Sequence, residues 1–109
     1  MSLPVERLAQ VRVPVPLSHA AFAGHFPGEP IFPGVALLAL VVAALRERLG
    51  NDVWVTAIPA LRWRAVVRPG DVLEIRLSRL EQEDHVGFEA RSGETLVSHG
   101  TLVTTRAGR

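Results

Sequence analysis

An uninterrupted apolar run, VALLALVVAAL at residues 35–45, is the feature of this 109-residue chain that most constrains its fold. Pro33 suits a first helical position and Gly50 suits a helix exit, so the sequence predicts a helix from Pro33 to Leu49. Eleven apolar residues rise only about 16 Å along a helix, against a hydrocarbon core of roughly 30 Å. The run is therefore too short to span a membrane.

A helix of this composition has no polar stripe, so no side of it favours contact with water. Its seven large aliphatic side chains would contribute roughly 10 to 20 kcal/mol if fully buried, at about 1.5 to 3 kcal/mol each. A single sheet covers only one side of a helix. The sequence therefore predicts a curled sheet wrapped round the helix, with the remaining side closed by a second chain in a dimer.

Beyond residue 53 the apolar residues alternate with other residues, which predicts β-strands. Four consecutive strands in an antiparallel meander are expected, the last of them over about Thr95 to Thr104. Three of the strands have a clear inward face: Leu61, Trp63, Ala65 and Val67; Leu73, Ile75 and Leu77; Val86, Phe88 and Ala90.

Two further segments complete the predicted α+β domain. Residues 11–17 carry Pro14 and Pro16, which cannot donate to a sheet ladder, so they predict an edge strand or an extended arm. The RPGD sequence at residues 68–71 predicts a turn that Asp71 stabilises.

Composition limits the class of protein. A chain of 109 residues is long enough for one domain, expected over residues 1–109, and too short for a second comparable core. Twelve Lys plus Arg against eleven Asp plus Glu leave a net charge of +1, so no nucleic-acid partner is predicted. The lack of cysteine and of an apolar N-terminal leader fits a cytoplasmic protein. No histidine pair has ligand spacing with a carboxylate, so no metal site is predicted.

Two motifs point to a known family. GHFPGEPIFPGVALL, Gly24 to Leu38, is similar to a His-Phe-Pro-Gly-x-Pro-x-x-Pro-Gly-Val signature, and LRWRAVVRPGDVLEI, Leu61 to Ile75, is similar to an aromatic strand that ends in a Pro-Gly-Asp turn. Both resemble motifs of the hotdog-fold β-hydroxyacyl-ACP dehydratase-like family. The resemblance implies a sheet wrapped round one central helix, a dimer joined edge to edge and acyl-thioester tunnels at the subunit interface. It implies no cofactor other than the phosphopantetheine of an acyl carrier protein (ACP) or of CoA that carries the substrate.

Within that resemblance, His25 corresponds to the catalytic base and the backbone N–H of Gly34 to the donor that polarises the thioester carbonyl. The chemistry agrees, because abstracting the proton next to a thioester carbonyl needs a base of near-neutral pKa and a donor aimed at the oxygen. A helix N-terminus supplies both N–H donors and partial positive charge. The predicted substrate-binding residues are Phe26, Phe32, Val35 and Trp63, although an aromatic side chain such as Trp63 suits a hydrophobic core equally well.

The family's second catalytic group is a Glu or Asp from the partner subunit, and the corresponding residue here is Ala39, which cannot donate a proton. Glu29 is a candidate replacement, with a solvated loop carboxylate as the competing interpretation. Glu47 lies eight residues further, about 12 Å along the helix, and is too distant. Alternatively, His25 performs both proton transfers, or a paralogous partner in a heterodimer supplies the carboxylate.

Three arginines and three histidines remain open to more than one interpretation. Arg62, Arg64 and Arg68 recur on one strand face and suit an acidic carrier protein, a phosphopantetheine phosphate or plain solvent. The other histidines have no setting comparable to that of His25: His19, His85 and His99. Of these, His19 could line the site entrance.

These features predict a 3-hydroxyacyl-ACP or 3-hydroxyacyl-CoA dehydratase of fatty-acid, polyketide or aryl-polyene type biosynthesis. The alternative is a non-catalytic acyl-thioester-binding subunit, possibly of a heterodimer with a paralogue that supplies the acid. A thioesterase is less favoured, because hotdog thioesterases commonly use a carboxylate in or near this helix and none occurs before Glu47.

Overall fold

The protein folds as one helix against a five-stranded antiparallel sheet. The computed structural model describes residues 3–15 and 34–107. In chain order the elements are β1 Pro4–Pro14, α1 Gly34–Leu49, β2 Val53–Trp63, β3 Val72–Leu80, β4 His85–Ser92 and β5 Thr95–Arg106. The α+β class and the single long helix predicted from the sequence are confirmed. Pro33, the expected first helical residue, lies outside the described residues.

The strand order β1-β3-β4-β5-β2 differs from the predicted four-strand meander. Only β3, β4 and β5 follow one another as neighbours, whereas β2 pairs with β5 at the far edge, from Val53 opposite Arg106 to Trp63 opposite Ser98. Periodicity identifies strands but carries no information about which strands are neighbours. The N-terminal strand is an edge strand, as predicted, but it begins at Pro4, earlier than expected.

Alternate residues of the central strands form the core, as their sequence pattern predicts. The inward side chains of β3 and β4 are all buried: Leu73, Ile75, Leu77, Val86, Phe88 and Ala90. Gly100 of β5 gives them room, because a Cβ at that position would lie 2.8 Å from Cε2 of Phe88 and 3.2 Å from Cα of Leu61. The missing side chain therefore lets β2 and the Phe88 ring approach β5 closely.

Within residues 3–15 and 34–107, the sheet covers one side of the helix. Leu37, Val41, Ala44 and Leu45 are buried against the sheet. On the opposite side Val35 is 80% exposed, and Ala39 and Ala43 are exposed as well. The sequence predicts an apolar helix covered on every side. Within one chain this holds for the side that faces the sheet, because one sheet has only one concave face. Cover by a second chain stays a prediction.

The RPGD turn, residues 68–71, lies between β2 and β3. The Arg68 N–H donates to Oδ2 of Asp71 at 2.9 Å, so Asp71 stabilises its own turn as predicted, and Gly70 takes the left-handed conformation with φ 87°. The turn also holds Val15, whose N–H donates to the Asp71 carbonyl at 2.8 Å and whose carbonyl accepts from Gly70 at 2.9 Å. The chain is therefore anchored at residue 15, nine residues before the motif begins at Gly24.

Candidate active site

Three of the seven predicted site residues, Gly34, Val35 and Trp63, lie in the part of the chain that the structure describes. The other four lie outside the described residues: His25, Phe26, Glu29 and Phe32. Their roles therefore stay predictions, as does that of His19.

Gly34 and Trp63, nearly thirty residues apart in sequence, meet at the N-terminus of α1. A Cβ on Gly34 would lie 2.8 Å from Cζ2, 3.0 Å from Cη2 and 3.1 Å from Cε2 of the Trp63 indole. These distances are shorter than ordinary van der Waals contact, so only glycine fits beneath the ring. The last glycine of the first motif thus contacts the tryptophan of the second motif.

The first N–H groups of an α-helix have no acceptor within the helix. Gly34 and Val35 supply the first two N–H groups of α1 within the described residues. The first turn of α1 contains no acidic side chain. The helix dipole places about half a positive charge at this end. This end of α1 can therefore stabilise an oxygen on which negative charge develops.

Ser98 holds the β2 backbone next to Trp63, and the sequence analysis did not identify it. The residue is fully buried and lies directly opposite Trp63 in the β5–β2 pairing. Its Oγ donates to the carbonyl of Arg62 at 2.8 Å. On the other side of the tryptophan, the Arg64 N–H donates to the carbonyl of Val97 at 2.7 Å. The sequence signal that could have identified Ser98 was a serine within an alternating strand pattern, because a buried hydroxyl requires a hydrogen-bond partner.

The residue that the resemblance aligns with the family's acid has an exposed methyl side chain, which has no ionisable proton. Ala39 lies on the open side of α1 together with Val35. Glu47 is exposed near the other end of the helix, about 20 Å from Gly34 along the axis. The structure therefore keeps Glu47 away from the Gly34 N–H, as the sequence predicts.

The three arginines predicted to share one strand face, toward a carrier, a phosphate or solvent, do not share a strand. Arg62 lies in β2, whereas Arg64 and Arg68 follow its end. Arg62 and Arg64 are exposed on either side of Trp63 in the chain. Arg62 donates to the carbonyl of Leu61 at 3.0 Å, and Nε of Arg64 lies 3.4 Å from Nε2 of His99. Arg68 lies in the RPGD turn. His85 begins β4, with its Nδ1 2.8 Å from the Glu83 carbonyl, away from these residues.

A cavity of about 370 Å³ opens at the opposite end of the helix. Its apolar lining comes from Leu8, Leu49, Val53 and Val86, with Arg106 among the polar residues. The carboxyl end of α1 contributes Leu49, so this cavity is separate from the Gly34–Trp63 contact.

Residues 3–15 and 34–107 include neither a membrane-spanning helix nor a cluster of metal ligands. None of the helices in these ranges has the length and hydropathy needed to cross a bilayer. The same ranges contain no group of three or more His, Asp or Glu side chains arranged to hold a metal ion.

The family model for the ApeI dehydratase, of the ApeI-like family, matches residues 4–101. The chain belongs to the ApeI-like dehydratase family. A 3-hydroxyacyl-[acyl-carrier-protein] dehydratase, FabZ, from Latilactobacillus sakei subsp. sakei is 35% identical to this ApeI-like chain over 86 residues, covering 72% of the chain. The chain spans 61% of that enzyme's length.

Solved structures of similar proteins have the same fold. The dehydratase heterocomplex ApeI:P from Xenorhabdus doucetiae matches with a TM-score of 0.83 at 21% identity, covering 97% of each chain. The R-hydratase PhaJ1 from Pseudomonas aeruginosa matches with a TM-score of 0.70 at 21% identity, covering 95% of this chain and 82% of its own. The hotdog fold predicted for this ApeI-like protein is thereby confirmed.

Proposed function

We propose that this protein is a 3-hydroxyacyl thioester dehydratase acting on acyl groups carried by ACP or CoA. The observation that supports it most directly is the helix N-terminus at Gly34, seated against Trp63, at the end of the GHFPGEPIFPG motif. Membership of the ApeI-like dehydratase family supports the same reaction class.

In the proposed reaction, His25 takes a proton from C2 of the 3-hydroxyacyl group. The electron pair of the C2–H bond forms the C2=C3 double bond as the C3–O bond breaks. The carbonyl oxygen gains negative charge while this happens, and the N–H groups of Gly34 and Val35 donate to it. Donors of this kind are worth about 10²- to 10³-fold in rate, because they need no reorganisation during the reaction.

The leaving hydroxide must gain a proton to depart as water. With Ala39 in the acid position and Glu47 far along the helix, the proton source is Glu29, the protonated His25 or a carboxylate of the partner subunit. A non-catalytic acyl-binding subunit is not favoured, since the similar proteins are named as dehydratases.

A basic patch formed by Arg62, Arg64 and Arg68 is the proposed contact for the carrier. Guanidinium groups form charge-assisted hydrogen bonds to carboxylates and phosphates. Arg62 and Arg64 flank Trp63 in the chain, so an acidic carrier protein or a CoA phosphate bound there would contact the end of the edge strand β2 that meets the helix N-terminus.

Assembly with a second subunit is the other part of the proposal. The open side of α1 carries Val35 at 80% exposure, and the edge strand β2 exposes Trp54 and Ile58. An apolar helix side next to an unpaired strand edge favours association with another chain. We propose a homodimer, with a paralogue as the alternative partner; the heterocomplex reported for ApeI:P supports either arrangement.

The test is a dehydration assay on the purified protein, whose molar mass in solution is measured first by light scattering. A 3-hydroxyacyl-ACP substrate is converted to the 2-enoyl thioester and followed by mass spectrometry. His25→Ala is expected to lower kcat/KM by about 10²- to 10⁴-fold, the usual contribution of a general base. His85→Ala is the matched control, because its side chain lies at the start of β4 and is expected to leave the rate unchanged.

Glu29→Gln, with Glu47→Gln as its control, tests the proton donor in the same assay. Loss of activity in Glu29→Gln assigns the role of proton donor to Glu29. Full activity leaves His25 or a carboxylate of the partner subunit as the proton donor. Activity that appears only after a paralogue is added, or that Ala39→Glu restores, favours the heterodimer. Water loss that survives His25→Ala would overturn the assignment of the base.

A further inference from the structure

The Trp63 indole occupies space that a side chain at position 34 would otherwise take. Three atoms of its six-membered ring lie 2.8–3.1 Å from the place of the missing Gly34 Cβ. The ring is nevertheless 46% exposed, so one part of it faces the helix backbone and another part remains available for contact with a ligand. Trp63 therefore forms a wall directly beside the first N–H groups of α1.

The backbone that carries this wall is held on both sides of Trp63. Ser98, fully buried, lies opposite Trp63 and donates to the carbonyl of Arg62 at 2.8 Å. The N–H groups of Arg64 and Ala65 both donate to the carbonyl of Val97, at 2.7 and 3.2 Å. The Trp63 backbone is therefore fixed relative to β5, so a bulky ligand group makes room only by turning the indole away from its contact with Gly34.

A thioester oxygen that accepts a hydrogen bond from the Gly34 N–H lies about 2.9 Å from that nitrogen. Its carbonyl carbon and the neighbouring C2 are then close to the Gly34 Cα and hence to the indole. A hydrogen on C2 fits in this space more easily than a methyl group, which needs the van der Waals distance that the ring already occupies.

We propose that Trp63 is a specificity-determining residue that restricts the site to acyl groups unbranched at C2. This inference rests on the proposed function for the placement of the thioester carbonyl at Gly34. Trp63 acts by shape alone and takes no part in proton transfer.

Trp54 provides a control of the same residue type on the same strand. It is exposed to a similar extent, 52%. Its ring, however, lies under the Arg46 guanidinium, 4.6 Å from the ring centroid, near the other end of the helix. Trp54→Leu therefore removes an equal volume of indole from β2 without enlarging the space beside Gly34.

The experiment compares an unbranched 3-hydroxybutyryl pantetheine thioester with its 2-methyl counterpart. For the wild-type protein, kcat/KM is expected to favour the unbranched substrate by tenfold or more, the scale of one methyl group in a fitted pocket. Trp63→Leu should reduce that ratio about tenfold, Trp63→Phe should reduce it less, and Trp54→Leu should leave it unchanged. Circular dichroism and thermal melting establish that each variant is folded, and light scattering establishes that Trp54→Leu, on the proposed association surface, keeps the molar mass of the wild type.

Binding of the unreactive butyryl and 2-methylbutyryl pantetheine thioesters, measured by calorimetry, gives a second readout that needs no turnover. The same order of ratios is expected. Equal affinity or equal turnover of both thioesters by the wild type would overturn the proposal, as would an equal change in Trp63→Leu and Trp54→Leu. A binding preference without dehydration of either 3-hydroxy substrate would instead contradict the proposed function and leave the role of Trp63 intact.

Discussion

At the carboxyl end of α1 the last carbonyls accept hydrogen bonds, whereas at the amino end an indole ring lies against a glycine. Gly50 donates to the Arg46 carbonyl at 2.7 Å, and Arg106 donates to the Leu49 carbonyl at 3.0 Å. Arg48 also ties this end to β1 through a 2.7 Å hydrogen bond to the Leu8 carbonyl. The carboxyl end is thus fastened by polar contacts that satisfy its backbone.

Among residues 3–15 and 34–107, the contact at the amino end is one of packing. Trp63 contacts Gly34 through ring carbons, which accept no hydrogen bond from the helix N–H groups. An apolar contact of this kind leaves helix N–H donors to other partners, whereas a polar side-chain cap occupies them. The two ends therefore differ in the kind of contact that the described residues make with them.

The largest expected effect comes from placing a methyl group at the amino end. Gly34→Ala forces the new Cβ to within 2.8 Å of the Trp63 ring, so either the ring or the helix terminus must shift. A displacement of about 1 Å at a catalytic donor typically costs about 10²-fold in rate. We expect kcat/KM for dehydration to fall by that order in steady-state assays, with the fold retained. The double variant Gly34→Ala/Trp63→Leu should recover part of the loss.

The corresponding glycine at the carboxyl end should behave differently. Gly50 has φ 117°, a conformation that alanine adopts only with strain, and its Cβ would lie 2.8 Å from Oδ1 of Asp52. We expect Gly50→Ala to lower the free energy of unfolding by about 1 to 2 kcal/mol, measured in urea, with little change in kcat. A loss of kcat in Gly50→Ala equal to that in Gly34→Ala would remove the distinction between the two ends.

The smallest effect is expected from a substitution on the outer face of the sheet, which contacts neither end of α1. A hydrogen bond from Arg76, 2.7 Å from Oε1 of Glu74, lowers the pKa of Glu74 below its ordinary value, and Arg12 acts in the same direction. Arg91 of β4 also lies opposite Glu74. The charged carboxylate therefore stabilises the fold above its unfolded-state pKa, and this contribution is lost as the pH falls through the folded-state pKa.

Glu74→Gln tests this sign. The variant should melt slightly below the wild type at pH 7, and the difference should vanish in acid, where Glu74 is protonated in both states. Because the side chain is partly exposed, the change is small. The dehydration rate of Glu74→Gln should equal that of the wild type. A destabilisation that grows toward low pH would contradict the lowered pKa of Glu74.

Much of the fold was predictable from residues close together in the chain. The apolar run identified α1, the alternation of Leu73, Ile75 and Leu77 identified β3, and the RPGD sequence identified a turn that the structure contains. These signals are local, since helix and strand periods repeat every few residues. The two motifs also indicated the family, which the matched residues 4–101 confirm.

The tertiary structure decided what local signals do not carry. It placed β2 at the far edge beside β5 rather than beside β3, and it brought Trp63 against Gly34 while Ser98 held the strand behind it. It also left Val35 and Ala39 on the open side of a helix that is apolar throughout. Strand order, ring packing and the covered side of a helix depend on contacts between distant residues, and these exist only once the chain has folded.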